Sequence, residues 1–341
     1  LADWLAVWQS SRVLAGALRE QKQCIRDVHA IARDLVVTPP DVPPDYQVSI
    51  APLPKDALEV KRNLFSTLFL AMYHVLGVPP DRRLLFGKLN QLFRVWVTAA
   101  DNLLDAEDKV VLPLHLPHDA RTMREVVAIM TADRILATLL NRAVDAATIT
   151  RQQADEIAAR SLQSLLGSAG QEASEESGVT DRPRPEEVLH TIHRLKTGLL
   201  FHIPFVGSDA TGESRTPLGE DLKRHLLDFG LGCQLLDDIR DLATDLCEGR
   251  HNYLLSRLRW QQPEAYAGLV TRDDCKPGDR LYREFPELAR DVAAKAHGML
   301  HEAMASVSAL GLALRPGDPA RIAQAMFQAL DLADVMEQLD V

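Results

Sequence analysis

The sequence predicts an all-α fold, a single-domain helical bundle of about ten helices spanning 1–341. Apolar residues recur at the helical period through most of the chain, and no strand-like alternation or internal repeat appears. Proline, glycine and polar residues gather in a few segments that punctuate those runs. At 341 residues the chain is long enough to bury a substantial core. Its 46% hydrophobic and 25% charged residues are ordinary for a globular protein.

Residues 1–36 read as one or two helices in which Trp4 and Trp8 pack. The segment 38–54 holds six prolines and must cross the fold in extended form. Residues 55–76 form a helix carrying Lys61 and Arg62, ended by Gly77 and Pro79-Pro80. Asp81 caps the next helix, expected to run to 109. On it Arg94, Val97, Asp101, Asp105 and Asp108 share an arc of about 80°, with Phe93 and Trp96 to one side. A loop follows at 110–117, and His115 and His118 read as surface residues. Two helices are expected over 120–148 and 151–166, then a mobile polar loop over 168–187. Residues 188–201 form a helix on which Arg194 and Lys196 project about 160° apart. Both reach one ligand only if that helix breaks, and Thr197-Gly198 is the expected break. Residues 207–219 form a loop. Beyond the helix at 231–253, a polar loop over 271–280 separates amphipathic helices at 284–310 and 319–341.

Within 231–253, Asp237, Asp238, Asp241, Asp245 and Gln234 fall in an arc of about 100°. Like charges one turn apart repel by about 3 kcal/mol at an effective dielectric near 20. A hard cation relieves that repulsion, and Mg2+ takes oxygen ligands while keeping waters and substrate phosphates. Asp101, Asp105 and Asp108 form a second acidic face, so two facing Asp-rich helices around a central cavity would make a metal cage. The formal net charge of −10 argues against a non-specific nucleic-acid or anionic-membrane binder. A polyanionic substrate therefore needs local positive charge. The four cysteines lack zinc spacing and suit a reducing compartment. No apolar run reaches about 18 residues, so a cytoplasmic protein without an integral membrane segment is expected.

These residues resemble the trans-prenyltransferase branch of the class I isoprenoid synthases. The late motif reads Cys233-Gln234-Leu235-Leu236-Asp237-Asp238-Ile239-Arg240-Asp241, with Asp245 and Gly249-Arg250 following. Lys196-Thr197 matches the mid-chain Lys-Thr pair, and Asp101-Asn102-Leu103-Leu104-Asp105 the early motif, with Asn102 where Asp is usual. Lys61-Arg62-Asn63-Leu64 resembles the upstream basic motif. The likeness covers roughly residues 55–260. It implies metal ligation by Asp101, Asp105, Asp108, Asp237, Asp241 and Asp245, with Asp238, Lys196 and Arg194 also catalytic. It implies substrate binding by Lys61, Arg62, Arg94, Thr197, Gln234 and Arg250, with Phe93, Trp96 and Val97 shaping the prenyl pocket. It further implies three Mg2+ ions with bound diphosphate, a prenyl diphosphate substrate and a homodimer.

Three departures concern the acceptor side. The family's Arg-Arg pair falls on Val110-Val111, the second upstream Arg on Leu64, and the usual His or Gln on Arg94. Each lost Arg removes charge-assisted hydrogen bonds of about 1.5–3 kcal/mol. The reading placed first is therefore a terpene synthase on a prenyltransferase-like scaffold, ionising an all-trans allylic diphosphate and cyclising or rearranging the cation. The alternatives are an all-trans polyprenyl diphosphate synthase using isopentenyl diphosphate, and a non-catalytic subunit of a heteromeric synthase.

Overall fold

The computed structural model describes residues 7–8, 11–104, 108–179, 181–272 and 274–339. Trp4 and Asp105 lie outside the described residues. The main helices are α1 Arg12–Leu35, α2 Leu64–Val75, α3 Pro80–Leu104, α4 Arg121–Asp145, α5 Arg151–Glu175, α6 Pro217–Arg240, α7 Leu242–Glu248, α8 Tyr253–Gln261, α9 Pro286–Val307 and α10 Asp318–Ala329. The described secondary structure is otherwise short helical turns and one antiparallel two-stranded ladder, Ser49–Ile50 against Leu114–His115. By contacts the chain forms two compact units, one of Trp8–Leu162 with Ile203–Gly219, the other of Leu1–Val7, Gln163–His202 and Glu220–Val341.

In the unit containing α1 to α4, the Ser11 hydroxyl caps α1 by accepting from the Leu14 N–H at 3.4 Å. Leu14, Ala17, Cys24, Val28 and Ala32 make its buried stripe. Gly87 lets three helices meet, because a Cβ there would lie 2.7 Å from Cys24 Sγ and 3.1 Å from a Leu70 methyl. The helix expected from 55 starts later. The Asn63 amide donates to the Ala57 and Glu59 carbonyls, each at 2.8 Å, and closes 55–60 into turns. Lys61 and Arg62 therefore sit in the 3-10 turn Lys61–Asn63 that precedes α2. The described part of α3 ends at Leu104, short of the expected 109. Asn102 Nδ2 donates to the Lys109 carbonyl at 2.9 Å, and its Oδ1 accepts from the Lys109 N–H at 3.0 Å, which turns the chain back.

In the other unit, α6 is apolar on every side below its motif. Leu222, Leu226, Leu235, Leu236 and Ile239 are fully buried, each worth about 1.5–3 kcal/mol relative to exposure. The helix expected across 231–253 is interrupted twice. Asp241 is a turn residue between α6 and α7, and Gly249 closes α7 in the left-handed region at φ 67°. Only glycine suits that position, since a Cβ would also lie 3.2 Å from Gly178 Cα. The mobile loop expected at 168–187 is a helix to Glu175, with Gln171 and Glu175 buried. After Pro185 the backbone widens into a π turn, Val188–His193, returns to α for Arg194–Lys196, and tightens to 3-10 from Gly198. The expected break at Thr197 is present, at φ −120°.

Candidate functional site

The four acids of the late motif divide by environment. Asp238 is fully buried, with His193 Nε2 and the Tyr253 N–H each 2.6 Å from its Oδ2. Gln234 Nε2 donates to its Oδ1 at 3.0 Å. Every lone pair that matters is thus taken by protein, which makes Asp238 a positioning group rather than a ligand. Through Gln234 it holds Thr197, whose hydroxyl donates to Gln234 Oε1. Asn252 Nδ2 donates both to the Asp238 carbonyl and to Asp245 Oδ2, each at 2.7 Å, while its own Oδ1 caps α8.

Asp237 and Asp241 have accessible tips. Arg240 bridges them, at 2.6 Å to Asp237 Oδ1 and 2.8 Å from its Nε to Asp241 Oδ1. Burial, helped by the Asp241 and Asp238 charges and opposed by Arg240, pushes Asp237 up to about 6. Burial and the Asp238 charge raise Asp245 well above the usual carboxylate range.

The cations come from separate segments. Lys196 Nζ lies 3.3 Å from Glu172 Oε1, and Arg250 Nη1 lies 3.0 Å from Glu172 Oε2. Glu175, one turn along α5, accepts from the His251 N–H at 3.1 Å. Burial disfavours the Lys196 charge, but Glu172, Glu175 and Asp245 outweigh it and raise the ammonium above its ordinary value. Buried Arg182 donates to the Arg250 carbonyl and holds that segment in place. Arg194, expected beside Lys196 in the site, is exposed on the His202 side. The wide π turn and the break at Thr197 bring only Lys196 to the acids.

Glu172, Glu175, His193 and Asn252 were not among the expected site residues. Their signal was present as polar residues at helical spacing, Gln171, Glu172 and Glu175, inside a segment read as a loop.

The candidate residues of the other unit are placed as follows. Asp101 is half-buried on α3, while Asp108 lies beyond that helix and pairs with Arg124 on α4. The expected three-carboxylate face therefore does not extend to Asp108. Asn102, where the family carries Asp, is buried and spends its amide on both backbone groups of Lys109. A carboxylate could accept from the N–H but not donate to the carbonyl. Trp96 is a packing residue, its indole N–H donating to the Ile129 carbonyl at 3.3 Å. Phe93 is buried against it, ring centres 5.7 Å apart, and Val97 is half-buried. Arg94 donates to Asn63 Oδ1 at 2.9 Å and has no carboxylate partner among the described residues. Burial, then the charge of Arg62, pulls Arg94 down to about 10. Arg62 pairs with Asp56 at 2.7 Å, and Lys61 is exposed.

Among the described residues, no three His, Cys, Asp or Glu side chains converge tightly enough to hold a metal by themselves. Mg2+ does not require that, since it is usually held by one or two carboxylates plus waters and substrate phosphates. Asp237, Asp241 and Asp245 fit that role, and the Arg240 guanidinium between the first two shows that positive charge is accommodated there.

No family model and no curated protein matches the chain. Solved structures do. A decaprenyl diphosphate synthase from Rhodobacter capsulatus is 17% identical, with 96% of this chain and 99% of that one covered and a TM-score of 0.57. A geranylgeranyl pyrophosphate synthase is 14% identical over 91% and 98%, with a TM-score of 0.59. A polyprenyl synthase from Caulobacter crescentus, solved with calcium and isoprenyl diphosphate, is 15% identical over 95% and 98%, with a TM-score of 0.55. The fold is thus that of the class I isoprenoid synthases, prenyltransferase type.

Proposed function

We propose that this chain is a metal-dependent enzyme that ionises an all-trans allylic prenyl diphosphate and joins the cation to isopentenyl diphosphate. The observation that carries the reading is the continuous network from Lys196 and Thr197 through Gln234 to the late acids, with Arg250 closing on the same side. Loss of diphosphate from an allylic carbon separates charge. Lys196 and Arg250 would stabilise the departing group as fixed cations needing no reorganisation. A divalent ion held by Asp237, Asp241 and Asp245 would supply further charge stabilisation to that group. Asp101 and Asp105 stay proposed ligands on the DNLLD motif alone.

Elongation takes first place here, reversing the order drawn from sequence. The similar solved structures bear the names of chain-elongating synthases. Arg94 adds a second support. A deeply set guanidinium without a counter-charge, beside Arg62 and Lys61, suits an anionic acceptor and offsets the Arg missing at Leu64. Cyclisation remains the second reading, favoured by Val110-Val111. Incubation with Mg2+ and all-trans prenyl diphosphates of increasing length, with and without isopentenyl diphosphate, separates the two by mass spectrometry. Longer diphosphates formed only with the acceptor support elongation. Hydrocarbons or alcohols formed without it establish cyclisation instead.

A homodimer is part of the proposal. Helix α4 exposes Met123, Val126 and Met130 beside a groove of about 410 Å³ bounded by Leu35 and Val36. No described helix is long and apolar enough to cross a membrane. A reducing compartment, the cytoplasm, suits the thiols of Cys24 and Cys233, whose ionisation burial opposes.

A further inference from the structure

We infer that Glu172 is an internal anion seated on the diphosphate-binding cations, so that a diphosphate displaces it only when it arrives with a divalent metal. The inference rests on the proposed reading of Lys196 and Arg250 as diphosphate ligands. Each oxygen of Glu172 serves one cation, at 3.3 Å to Lys196 and 3.0 Å to Arg250. That is how one oxygen pair of a phosphate would bridge the same two side chains. Glu172, Lys196 and Arg250 remain about one-fifth exposed, at 21%, 22% and 16%, so the pair is reachable from solvent. Its neighbour Glu175 is committed elsewhere, to the His251 N–H and the Gln171 amide. Only Glu172 stands in the way.

The surrounding charge sets the selectivity. Glu172, Glu175 and Asp245 all act on Lys196, and Asp237 and Asp241 lie on the same motif. A bare diphosphate would have to remove one anion and then sit among the others. A metal-bound diphosphate brings its own neutralising charge and meets little of that repulsion. Glu172 is therefore a specificity-determining residue for the metal complex of the substrate over free polyanions. It acts by competition rather than by touching the reacting carbon.

The test is calorimetric binding of inorganic diphosphate to the full chain, with and without Mg2+, in the wild type, Glu172→Gln and Glu172→Asp. The glutamine keeps shape and acceptor oxygen but loses the charge. The aspartate keeps the charge and draws it back by one methylene. Wild type is expected to bind only with Mg2+. Glu172→Gln should bind metal-free diphosphate, at least about tenfold tighter than wild type does without metal. Glu172→Asp should restore most of the metal requirement, and thermal melts show whether each variant is folded. Weaker or unchanged metal-free binding in folded Glu172→Gln, with wild type still binding in Mg2+, overturns the competition alone. So does metal-free binding by wild type and Glu172→Asp as strong as that of Glu172→Gln. Failure of wild type to bind diphosphate even with Mg2+ overturns the functional reading, and the inference with it.

Discussion

Asp238 and Asp241 stand three residues apart in one motif and answer to different forces. Asp238 has no exposure and is hydrogen-bonded by His193, Gln234 and the Tyr253 N–H. Asp241 is one-third exposed and faces Arg240. Asp238→Ala should cost about 3–5 kcal/mol, because it strands the buried imidazole and amide. Asp241→Asn should change stability by less than about 1 kcal/mol yet weaken Mg2+ binding. Thermal unfolding with and without Mg2+ reads both effects. Asp237 adds a pH dependence. Its carboxyl, near 3.8 when unperturbed, holds its proton up to about 6 in the fold. Between those values the native state binds more protons than the unfolded chain, so this group's contribution to stability falls as pH rises through the window. Metal requires the ionised form and expels the proton. Mg2+ should therefore raise the melting temperature more at about pH 7.5 than at about pH 5.

At the scale of the element, Asn102 illustrates why a motif letter differs from its family. Asn102→Asp restores the usual Asp but removes the donor to the Lys109 carbonyl. The variant should lose about 1–3 kcal/mol without a gain in Mg2+ affinity, checked by denaturant unfolding and metal titration. Helices themselves were legible, because their apolar period is a property of many residues at once. The break at Thr197 was legible too, from the geometric demand that Arg194 and Lys196 could not share a face. What the sequence hid were decisions made by single side chains. The Asn63 amide moves the start of α2 by capturing two carbonyls, and nothing in its local pattern announces this. Glu172 and Glu175 were hidden by composition. A polar run looks like a loop until its residues find buried cations, and Lys196 and Arg250 are far away in sequence. Trp96 pointed to a pocket wall or a π face, whereas the Ile129 carbonyl claims its N–H.

For the molecule as a whole, the acidic motif and the Lys-Thr pair were enough to indicate the fold, while the fate of the cation was not written in them. It depends on the basic residues that hold an acceptor, and these have drifted in both directions, with Leu64 losing charge and Arg94 gaining it. Arg94→Gln should leave ionisation of the allylic substrate in place, since Arg94 belongs to the proposed acceptor site. It should raise KM for isopentenyl diphosphate by about tenfold or more. Steady-state kinetics with the acceptor varied would show this, and an unchanged KM would favour cyclisation.

The wide turn at Val188–His193 has a consequence for how this chain can change over generations. A π turn amounts to one residue inserted into an α-helix. Removing a single residue there would let the helix close at its ordinary pitch and rotate everything after it by about 100°. Lys196 would swing off Glu172, and His193 off Asp238, with no site residue altered. Drift by substitution is tolerated along this segment far more readily than a change in its length. A one-residue gap here should mark the loss of the activity more reliably than several substitutions elsewhere.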